Sequence, residues 1–167
     1  MSFEVERTKP YYYLECSDSF KGLTEREQKY AYHMAQASWA GGPIILHQSS
    51  HESPQIFTLF QHLFRPVPPK YPTVRGLVAH LSECVGADIS AGFTEYFGAF
   101  LGHMGNYNCF GSVKFVPRIP RSDFRRCVQE LSSLHKSADD VTDDVDIASY
   151  DKLEEDIYGT APGVVHI

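Results

Sequence analysis

The apolar positions along this chain recur mostly three and four residues apart, the spacing that gathers them on one face of an α-helix. Thr24-Glu25-Arg26-Glu27 opens the first such stretch as a capping box: the Thr24 hydroxyl accepts from the third amide of the helix, and Glu27 reaches back to the cap amide. Tyr30, Met34, Ala37 and Trp39 then form an imperfect apolar face, and Gly41-Gly42-Pro43 predicts its end through a positive-φ stop followed by a breaker. Ser53-Pro54 reads as a cap with proline at the first helical position, ahead of Ile56, Phe57, Phe60, Leu63 and Phe64 on one face. The run Arg65-Pro66-Val67-Pro68-Pro69 lacks the amides a helix needs, so it predicts an extended connection. Leu77, Val78, Leu81 and Val85 mark a third helix, and from Ser90 onward Phe93, Phe97, Phe100, Leu101 and Met104 mark a fourth that ends at Gly105.

The pattern then changes period. Val113-Lys114-Phe115-Val116 alternates apolar and polar residues as a strand does, with Pro117 and Pro120 closing it. Phe124, Val128, Leu131 and Leu134 resume helical spacing, and Leu153 and Ile157 predict a last amphipathic helix ended by Gly159. Between these two helices, Asp139, Asp140, Asp143, Asp144 and Asp146 make an acidic stretch that reads as a mobile linker over residues 137–148. The fold class expected is mainly α: one compact helical domain spanning 1–167, with one short extended or β segment and an N-terminal extension at 1–20. At 167 residues, 43% of them hydrophobic, the chain can bury one sizeable core and hardly two.

Charge narrows the partners. A net charge of -6 and a pI near 5.7 disfavour nucleic acid and anionic membranes, because no basic block offsets repulsion from phosphate. Arg121, Arg125 and Arg126 are the one basic cluster, and on a helix they read as a solvated face. Cys16, Cys84, Cys109 and Cys127 are scattered, without the paired spacing of a zinc knuckle or redox motif. Reduced thiols, no signal peptide and no membrane span together predict a cytoplasmic protein.

Two segments carry a resemblance. The first is Tyr30-Ala31-Tyr32-His33-Met34 with Ala37-Ser38-Trp39-Ala40-Gly41-Gly42, continuing to Leu63-Phe64. The second is Met104-Gly105-Asn106-Tyr107-Asn108-Cys109-Phe110-Gly111-Ser112-Val113-Lys114-Phe115-Val116-Pro117, long and irregular enough to be specific. Both resemble the N-terminal part of the dipeptidyl peptidase III family. That resemblance implies part of a helical, non-zinc lobe, in which the turn from Asn106 to Gly111 borders the peptide-holding cleft. In the family a helical His-Glu-x-x-Gly-His segment and a later glutamate hold zinc, and no such segment occurs in these 167 residues. His103 and Ser112 also depart from the family, which usually has asparagine and an acidic residue there.

The nearest substitute for a metal site is His47-Gln48-Ser49-Ser50-His51-Glu52, whose histidines are four apart. Their place between Gly41-Gly42-Pro43 and Ser53 predicts a non-helical connector, so neither metal nor organic cofactor is expected. The candidate site is instead the turn itself. Asn106, Phe110, Gly111 and Lys114, with Tyr32, His33 and Trp39 as walls, are the expected substrate-binding residues, and His103 and Tyr107 the expected catalytic ones. His103 can titrate near neutrality, and Tyr107 can hydrogen-bond to developing charge. The same string also suits the packing of a turn, and spacing does not separate the two.

Three functions compete at this level. One is a zinc-free relative, not a peptidase, whose pocket takes a small apolar molecule and isomerises or cyclises it in specialised metabolism. Another is a peptide- or protein-binding module. The third is an incomplete lobe that needs a homodimer or a partner chain to cover its former interface.

Overall fold

Phe60 is the side chain around which the helices assemble. Fully buried, it lies 5.0 Å from the Phe97 ring, 5.6 Å from Phe100, 6.0 Å from Tyr96 and 6.1 Å from Phe93. These rings come from two helices, α4 (Ser53–Leu63) and α6 (Ala87–His103). The computed structural model describes residues 4–5, 15–108, 113–136 and 147–160. Its other elements are α1 (Ser17–Lys21), α2 (Glu25–Ala40), α3 (Gly42–Ser49), α5 (Val74–Val85), β1 (Tyr107–Asn108), β2 (Val113–Lys114), α7 (Arg121–Lys136) and α8 (Ile147–Tyr158). The chain is mainly helical with one small antiparallel sheet, as its periodicity requires.

The core lies among α4 to α8. Leu77 and Leu81 from α5, Phe124, Val128 and Leu131 from α7, and Tyr150 and Ile157 from α8 are all fully buried. Phe124 stacks on Tyr150 with ring centroids 5.6 Å apart and planes 16° from parallel, an arrangement that adds about 0.5–1.5 kcal/mol beyond area burial. The three arginines of α7 are engaged locally. Arg121 pairs with Glu155 at 2.7 Å, Arg125 with Asp151 and Glu154 of α8, and Arg126 with Asp123 at 3.3 Å. Arg121 and Arg125 tie α7 to α8, while the Arg126 pair lies within α7; at a solvated surface each pair contributes about 0–1 kcal/mol.

The capping box at the start of α2 forms as read: the Glu27 amide donates to Thr24 Oγ1 at 3.4 Å, and the Thr24 amide donates to Glu27 Oε2 at 2.8 Å. The helix ends at Ala40, where Gly41-Gly42-Pro43 predicts, but not by a positive-φ stop and a breaker. Gly41 has φ -77°, and Gly42 and Pro43 begin a further helix, α3, with the proline in the first turn. A proline there loses no helical hydrogen bond, so Gly-Gly-Pro starts an element as readily as it stops one. α4 begins one residue early, with Glu52 at the cap position and Ser53 inside the first turn. α6 ends at Met104, which adopts the left-handed conformation at φ 51°, ahead of Gly105 at φ 150°.

Near the N-terminus, the Val5 amide donates to the Val116 carbonyl at 3.1 Å and the Val5 side chain is buried, so this point of the expected 1–20 extension joins the core. The expected acidic linker at 137–148 lies outside the described residues except for Ile147 and Ala148, which open α8. Among the described residues, no helix is long and apolar enough to cross a membrane.

Candidate functional site

Helix α6 delivers its last residues into a tight reversal at Met104–Gly105, after which Tyr107 and Asn108 pair antiparallel with Lys114 and Val113. Gly105 is required there: a Cβ would lie 2.6 Å from Ser49 Cβ and 2.9 Å from Ser53 Oγ, on a backbone that side chains rarely adopt. Ser49 Oγ donates to the Met104 carbonyl at 2.8 Å, which fixes the end of α3 against the turn.

Asn106, the next residue, is fully buried, with both ends of its side-chain amide hydrogen-bonded. Its Nδ2 donates to Glu52 Oε1 at 2.9 Å, while its Oδ1 accepts from Ser50 Oγ at 3.0 Å and Ser53 Oγ at 3.2 Å. Its carbonyl accepts from the Phe115 amide at 3.0 Å. Glu52 meets Lys114 Nζ at 3.5 Å, with both side chains about nine-tenths buried (11% and 12% exposed), and the ammonium also donates to the Asp156 carbonyl. Burial raises the Glu52 pKa, but the Asn106 amide, its own backbone amide, the Lys114 charge and the Ser50 hydroxyl outweigh that and hold the carboxyl below its usual range. The group is an ionised, hydrogen-bonded knot that locks the hairpin to α3, α4 and α8.

Tyr107 stands at the edge of this knot, half-buried, with the Lys114 ammonium 5.9 Å from its ring centroid. Burial, then the negative charges of Glu52 and Asp156, raise its phenol pKa. At neutral pH it is a neutral donor and acceptor. His103, also half-buried, packs its ring 5.6 Å from Phe115. The ring of the fully buried Tyr96 lies 5.7 Å from that of Phe115, and its hydroxyl has no hydrogen-bond partner among the described residues.

Thus His103, Asn106, Tyr107 and Lys114 meet at the end of α6 and the hairpin. Phe110 and Gly111 lie outside the described residues. Tyr32, His33 and Trp39 lie on α2, where all three are exposed; Tyr32 and His33 make an edge-on ring pair at 5.4 Å, and Trp39 is 75% exposed. His47 falls in the last turn of α3, a correction to the expected non-helical connector. The backbone turns extended at Ser50, so His47 and His51 do not share a helical face, and both are exposed. The sequence reading missed Glu52, Ser50 and Ser53 as partners of Asn106, since nothing local marks a contact across more than fifty residues.

The class the structure defines is a mainly helical one with a small antiparallel hairpin, which a buried asparagine locks in place. No known family profile matches the chain. It is 40% identical over 116 residues to dipeptidyl peptidase 3 of Nematostella vectensis, a stretch covering 70% of this chain and 16% of the relative. The human dipeptidyl peptidase 3 is 36% identical over 115 residues, 69% of this chain and 15% of the relative. That of Dictyostelium discoideum is 39% identical over 128 residues, 77% of this chain and 18% of the relative. Over this stretch the chain resembles dipeptidyl peptidase 3, and it spans less than a fifth of the length of these relatives. A zinc site of that family's kind does not fit these residues, because no His-Glu-x-x-Gly-His segment is present and His47 and His51 diverge.

Proposed function

We propose that this chain forms the hairpin-bearing part of a dipeptidyl peptidase III-type lobe, holding peptide at the Asn106–Lys114 turn and depending on a zinc-bearing part for hydrolysis. The observation that carries the reading is the apolar surface of α2 and α3. Tyr30, Tyr32, Met34, Trp39, Ile44 and Ile45 are between 45% and 75% exposed, and no residue of α2 is buried. Soluble chains seldom leave such a surface open unless a partner covers it. The matched stretch makes up only 15–18% of its relatives, so the remainder of such a lobe is the occupant proposed.

The test mixes this chain with the portion of a relative that lies outside the matched stretch. Co-elution on sizing and dipeptide release from a chromogenic substrate, with none from this chain alone, support the proposal. Release by this chain alone, or no association at micromolar concentrations, sinks it. A homodimer that buries the same surface would also count against it.

A second reading keeps a zinc-free pocket for a small apolar molecule, bound or isomerised without metal. Tyr107 favours it, since a half-buried ring beside the Lys114 ammonium pairs an apolar wall with a polar end. Native mass spectrometry of the freshly purified chain should then detect a co-purifying molecule that Tyr107→Ala fails to retain. Equal retention by that variant would remove this reading.

A further inference from the structure

Away from the hairpin, the packing of α5 against α7 brings together three side chains with metal-binding atoms. His80 and Cys84 are four apart on α5, hence on one face, and Glu130 of α7 faces them. One donor atom from each lies within 4.8 Å of the other two. We propose that His80, Cys84 and Glu130 bind a divalent, thiophilic cation of the zinc type, independently of the hairpin and of the function proposed above.

Ligand chemistry and spacing both support this. Imidazole, thiolate and carboxylate are the three donor types that zinc takes from proteins, at about 2.0–2.3 Å in a tetrahedral shell, which places neighbouring donors about 3.5 Å apart. Cys84 Sγ lies 3.6 Å from His80 Nε2, so these two need hardly move. All three separations lie within 4.8 Å, about 1.3 Å or less beyond the tetrahedral spacing.

Tyr71 supplies the orienting contact that ligating histidines commonly have. Its hydroxyl lies 2.9 Å from His80 Nδ1, and Tyr71 is itself held by paired backbone bonds with Val67, at 2.7 and 2.8 Å. When Nδ1–H donates to the tyrosine oxygen, the proton is absent from Nε2, the nitrogen nearer to Cys84: 3.6 Å against 3.8 Å for Nδ1. Cys84 is exposed and His80 and Glu130 half-buried, so an ion has a path from solvent. On binding, the Cys84 thiol releases its proton to solvent and the sulfur donates an electron pair to the ion. Three protein ligands leave the fourth position to water. The ion would staple α5 to α7. This departs from the expectation of no metal drawn from the sequence, where His80 and Cys84 are visible at helical spacing but Glu130, on another helix, is not.

The experiment titrates Co2+ into the reduced chain and follows thiolate-to-cobalt charge-transfer absorption, then repeats the titration with Zn2+ by alkylation mapping. A saturable 1:1 band is expected, absent in Cys84→Ser and His80→Ala, weakened at least tenfold in Glu130→Gln and unchanged in Cys16→Ser, with circular dichroism confirming each fold. In the unmodified chain, Zn2+ should slow iodoacetamide labelling of Cys84 and leave that of Cys16 unaltered, a readout that needs no variant. No saturable band, a band that survives Cys84→Ser, unchanged affinity in either His80→Ala or Glu130→Gln, or equal labelling with and without Zn2+ would overturn the site.

Discussion

Asn106 donates through its side-chain amide to Glu52 Oε1 at 2.9 Å, and through this bond the end of α6 is joined to the start of α4. Asn106 is wholly buried, so its hydrogen bonds have no water to replace them. Asn106→Ala leaves the Glu52 carboxylate and the Ser53 hydroxyl short of a partner, which should cost about 2–3 kcal/mol, read from the urea midpoint. Asn106→Asp should cost more at neutral pH, because it faces a buried carboxylate with a second one, and should regain stability on acidification. If Asn106→Asp matched the parent at pH 7, the assigned orientation of the amide would be wrong.

Glu52 makes the hairpin lock pH-dependent. Its folded-state pKa lies below the usual 4.5, so the unfolded chain binds the proton more readily. The stabilisation is therefore fully present above the unfolded value and is lost as pH falls through the folded one. Glu52→Gln, which removes the charge opposite Lys114, should destabilise by about 1–3 kcal/mol at pH 7. That difference should shrink as pH is lowered below 4.5. Parallel stability curves for the two proteins across this range would contradict the arrangement.

His135 adds a second, independent pH term. It is buried, its ring packs 4.7 Å from His62, and its Nε2 lies 3.4 Å from the Leu63 carbonyl. Burial, helped by the Arg65 charge, lowers its pKa from 6.5 despite the opposing effect of that carbonyl. Between the folded and unfolded values the unfolded chain holds the extra proton, so stability rises with pH there and is complete above about 6.5. His135→Gln should flatten the stability profile between pH 5 and 7, a window about as wide as a histidine titration. A slope unchanged from the parent would assign the pH dependence to another group.

Much of this fold was legible in the sequence because each long helix keeps one apolar face. Phe60, Phe93 and Phe100 are core at the spacing that marks them, and the Thr24–Glu27 capping box forms where its residues require. What escaped was of two kinds. α3 was hidden because glycine and proline carry no sign telling a helix's end from its first turn. The Asn106 knot was hidden because Ser50, Glu52 and Ser53 lie 53–56 positions away along the chain, and no periodicity encodes so distant a register. The apolar residues of α2 carry a different lesson: Tyr30, Met34 and Trp39 follow a helical pattern as core residues do, yet all three face solvent. Pattern reports that a face is apolar and says nothing of what covers it.

The cysteines should divide by reactivity. Cys127 is fully buried, and burial pushes its thiol up to about 12, with the charge of Asp123 adding to the effect. Since the thiolate is the reacting species, almost none is available at neutral pH. Cys16 and Cys84 are exposed. Iodoacetamide at pH 8 on the native, metal-free chain should label Cys16 and Cys84 within minutes and Cys127 only after unfolding, as peptide mass spectrometry can resolve. Early labelling of Cys127 would mean that α7 opens far more readily than its buried face implies.

Trp39 separates folding from association. Its side chain is 75% exposed on a helix with no buried residue, so Trp39→Ala should change unfolding free energy by less than about 0.5 kcal/mol. Phe60→Ala, at the centre of the core, should cost about 3–5 kcal/mol. Association should rank the two residues oppositely. If the α2–α3 surface docks onto the rest of a dipeptidyl peptidase III-type lobe, Trp39 is the kind of large aromatic that dominates an interface, and its truncation should weaken binding by about 2 kcal/mol or more, some thirtyfold. Isothermal titration against the complementary portion of a relative measures this directly, with Lys29→Ala on the same helix as a control, since its salt bridge to Glu25 is solvent-exposed. Equal binding by the parent chain and Trp39→Ala would place the docking surface elsewhere. A loss of stability in Trp39→Ala approaching that of Phe60→Ala would show instead that the tryptophan is covered within the isolated chain.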